Sequence, residues 1–183
     1  MGSIFDILTW NPSITYSKND IVKWELGSAG RTARRYWYAL SSVPANAEPS
    51  TTSGQSYWGG MKSSNGKDRP YFLWTPSYQT SSNFAPIVKV VKFGDGYEQR
   101  VSPNINNNLL KLDVRFELRS TAETQSILHF LHARAGVEPF IFEPPEPLNS
   151  TKDQFFVCRN WNNTFNFFDN QTLGVTFDQT VAY

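Results

Sequence analysis

The stretch LLKLDVRFEL, residues 109–118, alternates without a break. Leu110, Leu112, Val114, Phe116 and Leu118 fall on one side, and Lys111, Asp113, Arg115 and Glu117 on the other. Successive side chains of a strand point to opposite faces, so this period of two predicts a β-strand with one face in a core and the other in water. Immediately after it, Ser120-Thr121-Ala122-Glu123 has the form of a capping box. In such a box the Ser hydroxyl takes a backbone N–H three residues on, and the Glu carboxylate reaches back. In the following TQSILHFLHARA, residues 124–135, Ile127, Phe130, Leu131 and Arg134 lie at three- and four-residue spacings. That spacing predicts an amphipathic helix, with Gly136 as its left-handed cap.

The segments on either side read as further strands. Upstream, IVKVVKF (87–93) is a β-branched run, Gly94-Asp95-Gly96 supplies a tight turn, and YEQRV (97–101) returns as the second strand of a hairpin. Downstream, PFIF (139–142) predicts a short buried strand, and Pro144, Pro145 and Pro147 enforce a rigid loop. QFFVCR (154–159) and QTLGVTF (171–177) predict two more strands. The run holding Asn160, Asn162, Asn163, Asn166 and Asn170 is expected to be the turn between them, because the Asn amide bonds nearby backbone groups.

The chain divides at residues 59–70, a small, polar, turn-prone stretch that reads as a linker or exposed loop. The expected units are residues 1–66 and 67–183. The first holds four of the six Trp, namely Trp10, Trp24, Trp37 and Trp58, with short strands at 21–25 and 35–40 interrupted by Pro12, Pro44 and Pro49. Having few aliphatics, it is expected to build its core from aromatic stacking. The fold class is thus mainly β with one flanking α-helix, preceded by a small aromatic-rich β module.

Composition narrows the function. The 183 residues carry a formal net charge of +1, so no basic stripe for nucleic acid is expected. Fourteen Phe, eight Tyr and six Trp exclude a disordered chain. No apolar run approaches the ~18–20 residues that span a bilayer, so no membrane insertion is expected, and residues 1–10 lack the features of a signal peptide. The single Cys158 permits no internal disulfide and reads as a buried, inert thiol. His129 and His132 lack further ligands and read as two partly exposed helix histidines rather than a metal site. Gly94-Asp95-Gly96 lacks the Lys-Ser/Thr of a phosphate loop, and Glu143 and Glu146 read as solvated carboxylates in a Pro-rich loop. No enzyme signature, cofactor or metal is expected.

Several motifs of the second part occur in one order. They are VKVVKFGDGYEQR (88–100) with Phe93, Gly94, Asp95, Gly96 and Tyr97 at its turn, NINNNL (104–109), the helix with Gly136, and FEPP (142–145). VCRNW (157–161) with Cys158 and Trp161 follows, and then the closing strand to Asp178 and Gln179. From near Phe84 onward the chain resembles the minor tail protein M family of lambda-type long-tailed bacteriophages. Asn104 stands where that family has Gly. The resemblance implies a tail-tube-like or distal-tail-like β-sandwich or rolled sheet with one flanking helix. It further implies a structural role in the virion: a homo-oligomeric ring of six in the tail tip, assembled in the host cytoplasm, between the tail tube and the receptor-binding tip proteins. A ring requires head-to-tail interfaces that close.

The first part resembles a small chitin-binding-type carbohydrate module at Tyr16, Asp20, Val22, Tyr38-Ala39, Pro49 and Trp58. Asn19 replaces that family's Gly, and residues 25–35 are extra. The resemblance implies host-surface glycan as a partner, with Trp24, Trp37 and Trp58 as candidate stacking residues, and a glycan-binding adhesin as the alternative function. In the competing reading these rings form the module's own core.

Overall fold

The computed structural model describes residues 4–25, 34–49, 51, 54–78 and 80–181; most of the extra stretch at 25–35 lies outside them. The alternating stretch forms β9 (Leu110–Arg119), an inner strand. It pairs antiparallel with β6 (Ser81–Phe84) on one side and β12 (Asn170–Thr180) on the other. β12 pairs with β11 (Phe155–Phe167), and β11 with β10 (Phe140–Ile141), giving a five-stranded sheet in the order β10-β11-β12-β9-β6. Leu110, Leu112, Val114 and Phe116 are buried as expected. Leu118 is not: it sits at φ 54°, where the register with β12 slips, and its side chain is exposed. A bulge turns the side chain away from the face that the alternation assigns it.

α1 (Thr121–Arg134) packs on the sheet's inner face. Its Ile127, Phe130 and Leu131 join Leu112, Phe116, Phe156, Leu173 and Phe177 in the main core. Half of the expected capping box forms. Ser120 Oγ accepts the Glu123 N–H at 3.3 Å, but the Glu123 carboxylate takes Arg119 Nη1 at 2.9 Å instead of reaching back. Ser120→Ala should therefore lower stability by about 1 kcal/mol. Urea unfolding checks this, and an unchanged midpoint would mean that water replaces the cap. The left-handed turn begins at Ala135, one residue before Gly136.

The Asn-rich run is strand rather than turn. β11 continues through Asn160, Asn162, Asn163 and Asn166, and the chain reverses only at Phe168 and Asp169. Cross-strand amide bonds replace the local ones expected of Asn: Asn163 Nδ2 to Gln171 Oε1 at 2.8 Å, and Asn166 Nδ2 to Thr172 Oγ1 at 2.7 Å.

The N-terminal sheet runs β1 (Ile21–Glu25), β2 (Arg34–Ala39) and β3 (Trp58–Gly59), all antiparallel. Strand alternation gives it two apolar faces. Ile21, Tyr36 and Tyr38 join the main core, while Val22, Trp37 and Ala39 build a minor core with Trp58, Val43 and Ala47. The expected linker is a docked hairpin of β4 (Met61–Ser64) and β5 (Lys67–Pro70). Its Asn65 (φ 52°) and Gly66 (φ 71°) form the two-residue left-handed turn that matches strand twist. Lys62 Nζ reaches Glu143 at 2.9 Å and Asp153 at 3.0 Å, and the Phe72 N–H bonds Ile141 O at 2.9 Å. The fold is therefore mainly β with one flanking α-helix among the described residues.

Candidate functional site

Between β6 and β9 the chain leaves the sheet as an arm. β7 (Lys89–Lys92) and β8 (Glu98–Val101) form a separate two-stranded hairpin. A short 3-10 turn, Gly94–Gly96, closes it, with Asp95 at φ 62° and Gly96 at φ 83°. The Phe93 N–H bonds Tyr97 O at 2.8 Å across this turn, and Ile87 N bonds Asn107 O at 2.9 Å at the root. From the root to the tip the arm extends roughly 20–25 Å at about 3.3 Å per residue. Every residue from 81 to 106 is exposed. The pairings Lys89↔Val101 and Val91↔Gln99 put Val91, Val101, Phe93 and Tyr97 on one side of the ribbon. A lone hairpin is marginal in water, and burying such a face is what would stabilise it.

The opposite end of the sheet carries a second apolar surface. The β11–β12 hairpin overhangs there, with Phe165, Phe167 and Phe168 exposed, Phe168 fully so. Leu118 is exposed at the same end of β9. Asp169 Oδ1 accepts the Thr121 N–H at 2.7 Å, tying this tip to the start of α1. The periodicity of the sequence gives no sign of this cluster. Its only signal is three Phe in an otherwise polar run.

The sheet's outer face is polar. Ser81, Asp113, Arg115, Asn160, Asn162, Gly174 and Thr176 line a shallow cavity of about 770 Å³. Thr176 Oγ1 donates to Asp113 at 2.8 Å, while Lys111 and Arg159 approach Asp178 at 3.9 and 3.4 Å. Asn162 Oδ1 lies over Gly174, 2.4 Å from where a Cβ would stand, so a larger residue there would displace the Asn162 amide.

The three candidate stacking tryptophans lie on the sheet face turned away from the main core. Trp37 and Trp58 are buried in the minor core, and Trp58 Nε1 donates to Ala47 O at 2.8 Å. Trp24 is half-buried and meets Trp10 edge-on at 5.0 Å. Asn19, at the position where the carbohydrate module has Gly, adopts φ 70°, a left-handed conformation that Asn tolerates. Edges of Trp37 and Trp58 line a cavity of about 490 Å³ with Arg35, Gln55, Met61, Ser63 and Asp68.

The motif residues separate into two groups. Phe93, Gly94, Asp95, Gly96 and Tyr97 form the arm's tip, whereas Cys158 is buried in β11 and Trp161 packs against the main core. Burial pushes the Cys158 thiol up to about 11, so it is a poor nucleophile at neutral pH. His129 is buried rather than partly exposed, with Nδ1 3.0 Å from the Tyr38 hydroxyl; His132 is exposed and meets Phe5 edge-on. Among the described residues no three His, Cys, Asp or Glu side chains cluster as metal ligands, and no helix is long and apolar enough to cross a membrane.

Residues 70–181 match the family described as phage minor tail protein. The chain is also 31% identical to the tail tip protein M of Escherichia phage lambda over 91 residues, which is 50% of this chain and 80% of that protein. The matched segment carries the arm, the five-stranded sheet and α1. This chain belongs to the phage minor tail protein family.

Proposed function

We propose that this protein is a non-enzymatic structural subunit that closes into a ring of six in the tail tip, between the tail tube and the receptor-binding tip proteins. Residues 67–183 form the ring and residues 1–66 are a module that it carries. The subunit is assembled in the host cytoplasm and contacts neither nucleic acid nor membrane. The observation that carries this reading is the uncovered arm: a hairpin exposed along its whole length and rich in apolar residues belongs to a chain whose final state is an assembly. Cryo-electron microscopy of purified tails tests it. Six copies in one ring near the tip are expected, and no copies in the tail would overturn it. Charge reversal on the outer sheet face, Lys111→Glu or Arg115→Glu, should lower the yield of tails; normal tails from both variants would remove that face as a contact.

The cavity beside Trp37 favours a second reading, glycan binding by the N-terminal module. It combines the Trp37 and Trp58 rings with the Arg35–Asp68 ion pair. Saturable binding of host-envelope polysaccharide by the full chain, weakened in Gln55→Ala, would support it. Absence of binding across such glycans would remove it.

A further inference from the structure

We propose that the arm of one copy docks head to tail on the aromatic end of the next copy of this chain. The inference rests on the ring reading and names the contact within it. Three observations support the occupant.

The first is placement. The arm leaves the sheet where Phe84 pairs with Leu110, at the start of β9, while Phe165, Phe167, Phe168 and Leu118 cluster where β9 ends. Two different apolar surfaces at opposite ends of one subunit suit a heterologous contact, in which each copy offers one end and receives the other.

The second is charge. Lys89 and Lys92 form no ion pair among the described residues, and Arg100 is held by its own Glu98, so residues 85–109 carry a formal charge of +1. At the far end Arg119 pairs with Glu123, and Arg115, Glu117, Arg119, Glu123 and Asp169 together carry a formal charge of −1 beside the phenylalanines.

The third is area. Two aromatics at roughly 150–250 Å² each, with Val91 and Val101, give the arm's apolar face a few hundred Å². A stable pair needs about 800 Å² per partner. The contact is therefore too small to hold two free copies together, and suits one of several made by each copy in a closed ring.

The test is a cysteine pair, Val91→Cys with Phe167→Cys, in tails assembled with the variant chain and treated with a short bismaleimide. The native Cys158 is buried and stays silent. The expected result is a ladder of this chain's multimers rising to the ring number, absent from either single variant. Uncross-linked chain in otherwise intact tails would overturn the docking and leave the ring standing. Cross-linking of Val91→Cys to a different tail protein would also overturn it. Absence of the unaltered chain from parent tails would overturn the ring reading and the docking with it. Phe93→Asp adds a readout without cross-linker: its melting temperature should match that of the parent, while its incorporation into tails falls at least ten-fold and recovers in Phe93→Tyr. Normal incorporation of Phe93→Asp would overturn the docking.

Discussion

Replacing Phe72 by Ala should destabilise the protein by about 3–5 kcal/mol, the range for deleting a large aromatic from a core. Phe72 is almost fully buried, and its ring lies 5.1–5.9 Å from those of Trp74, Phe116, Phe130, Phe140, Phe142 and Phe177. Those six rings come from β9, α1, β10, β12 and the segments beside them, so one side chain joins the five-stranded sheet to the helix. Several of the contacts are edge-on, the arrangement that aromatic quadrupoles favour. The cavity would be lined by rigid rings held by two layers, which can collapse little, so the cost should lie toward the upper end of the range. Domains of this size are stable by roughly 5–15 kcal/mol, so the variant keeps little margin. Guanidinium unfolding of Phe72→Ala beside Phe168→Ala checks this. The second change removes a fully exposed ring and should alter stability by less than about 0.5 kcal/mol. A loss below about 1.5 kcal/mol in Phe72→Ala would show that the surrounding rings close over the space.

Phe72 also marks where sequence reading stops. The regular elements were legible because each obeys one period: Leu112, Val114 and Phe116 at two, Ile127, Phe130 and Leu131 at three and four. Phe72 lies in a segment without regular structure, between β5 and β6, where no period exists to detect. The arm was legible as a hairpin from its β-branched run and its turn residues. Its exposure was not, because a Val-rich run reads alike in a core and on an arm waiting for a partner. The Asn-rich strand departs from the expected turn for a related reason. Local propensity favoured a turn, and the cross-strand amide bonds that override it join residues up to eight apart. The tryptophans show the same limit: composition counted them, but the two-sided β1–β2–β3 sheet decides that Trp37 and Trp58 face a minor core. Tyr38, by alternation on the opposite side, is committed to the main one.

That commitment gives the molecule an acid-sensitive junction. His129 on α1 is buried against the N-terminal sheet, with its ring 4.6 Å from that of Tyr36 and its Nδ1 3.0 Å from the Tyr38 hydroxyl. Nearby, Ser126 Oγ donates to Asn19 O at 2.6 Å and fastens the same face of the helix to the module. Burial, then the positive charge of Arg134, then His132, lower the His129 pKa from 6.5 to about 4. Burial also holds the Tyr38 phenol well above its ordinary range, so this hydroxyl keeps its proton at every pH of interest. A protonated imidazole is a donor at both nitrogens and no longer accepts from that hydroxyl. Because the folded-state pKa of this base is depressed, the unfolded chain binds a proton that the folded one refuses between pH 6.5 and about 4. The contribution is fully present above pH 6.5 and is lost as the pH falls through that window, by roughly 3 kcal/mol in all. His129→Leu should remove this dependence. The variant starts lower, since it strands the Tyr38 hydroxyl, but that offset does not vary with pH. Urea midpoints of the two proteins, measured from pH 7 down to pH 4, should therefore converge and then cross or meet. A difference that stays constant over the range would show that His129 does not titrate in the junction, and that any acid loosening of the N-terminal module has another source.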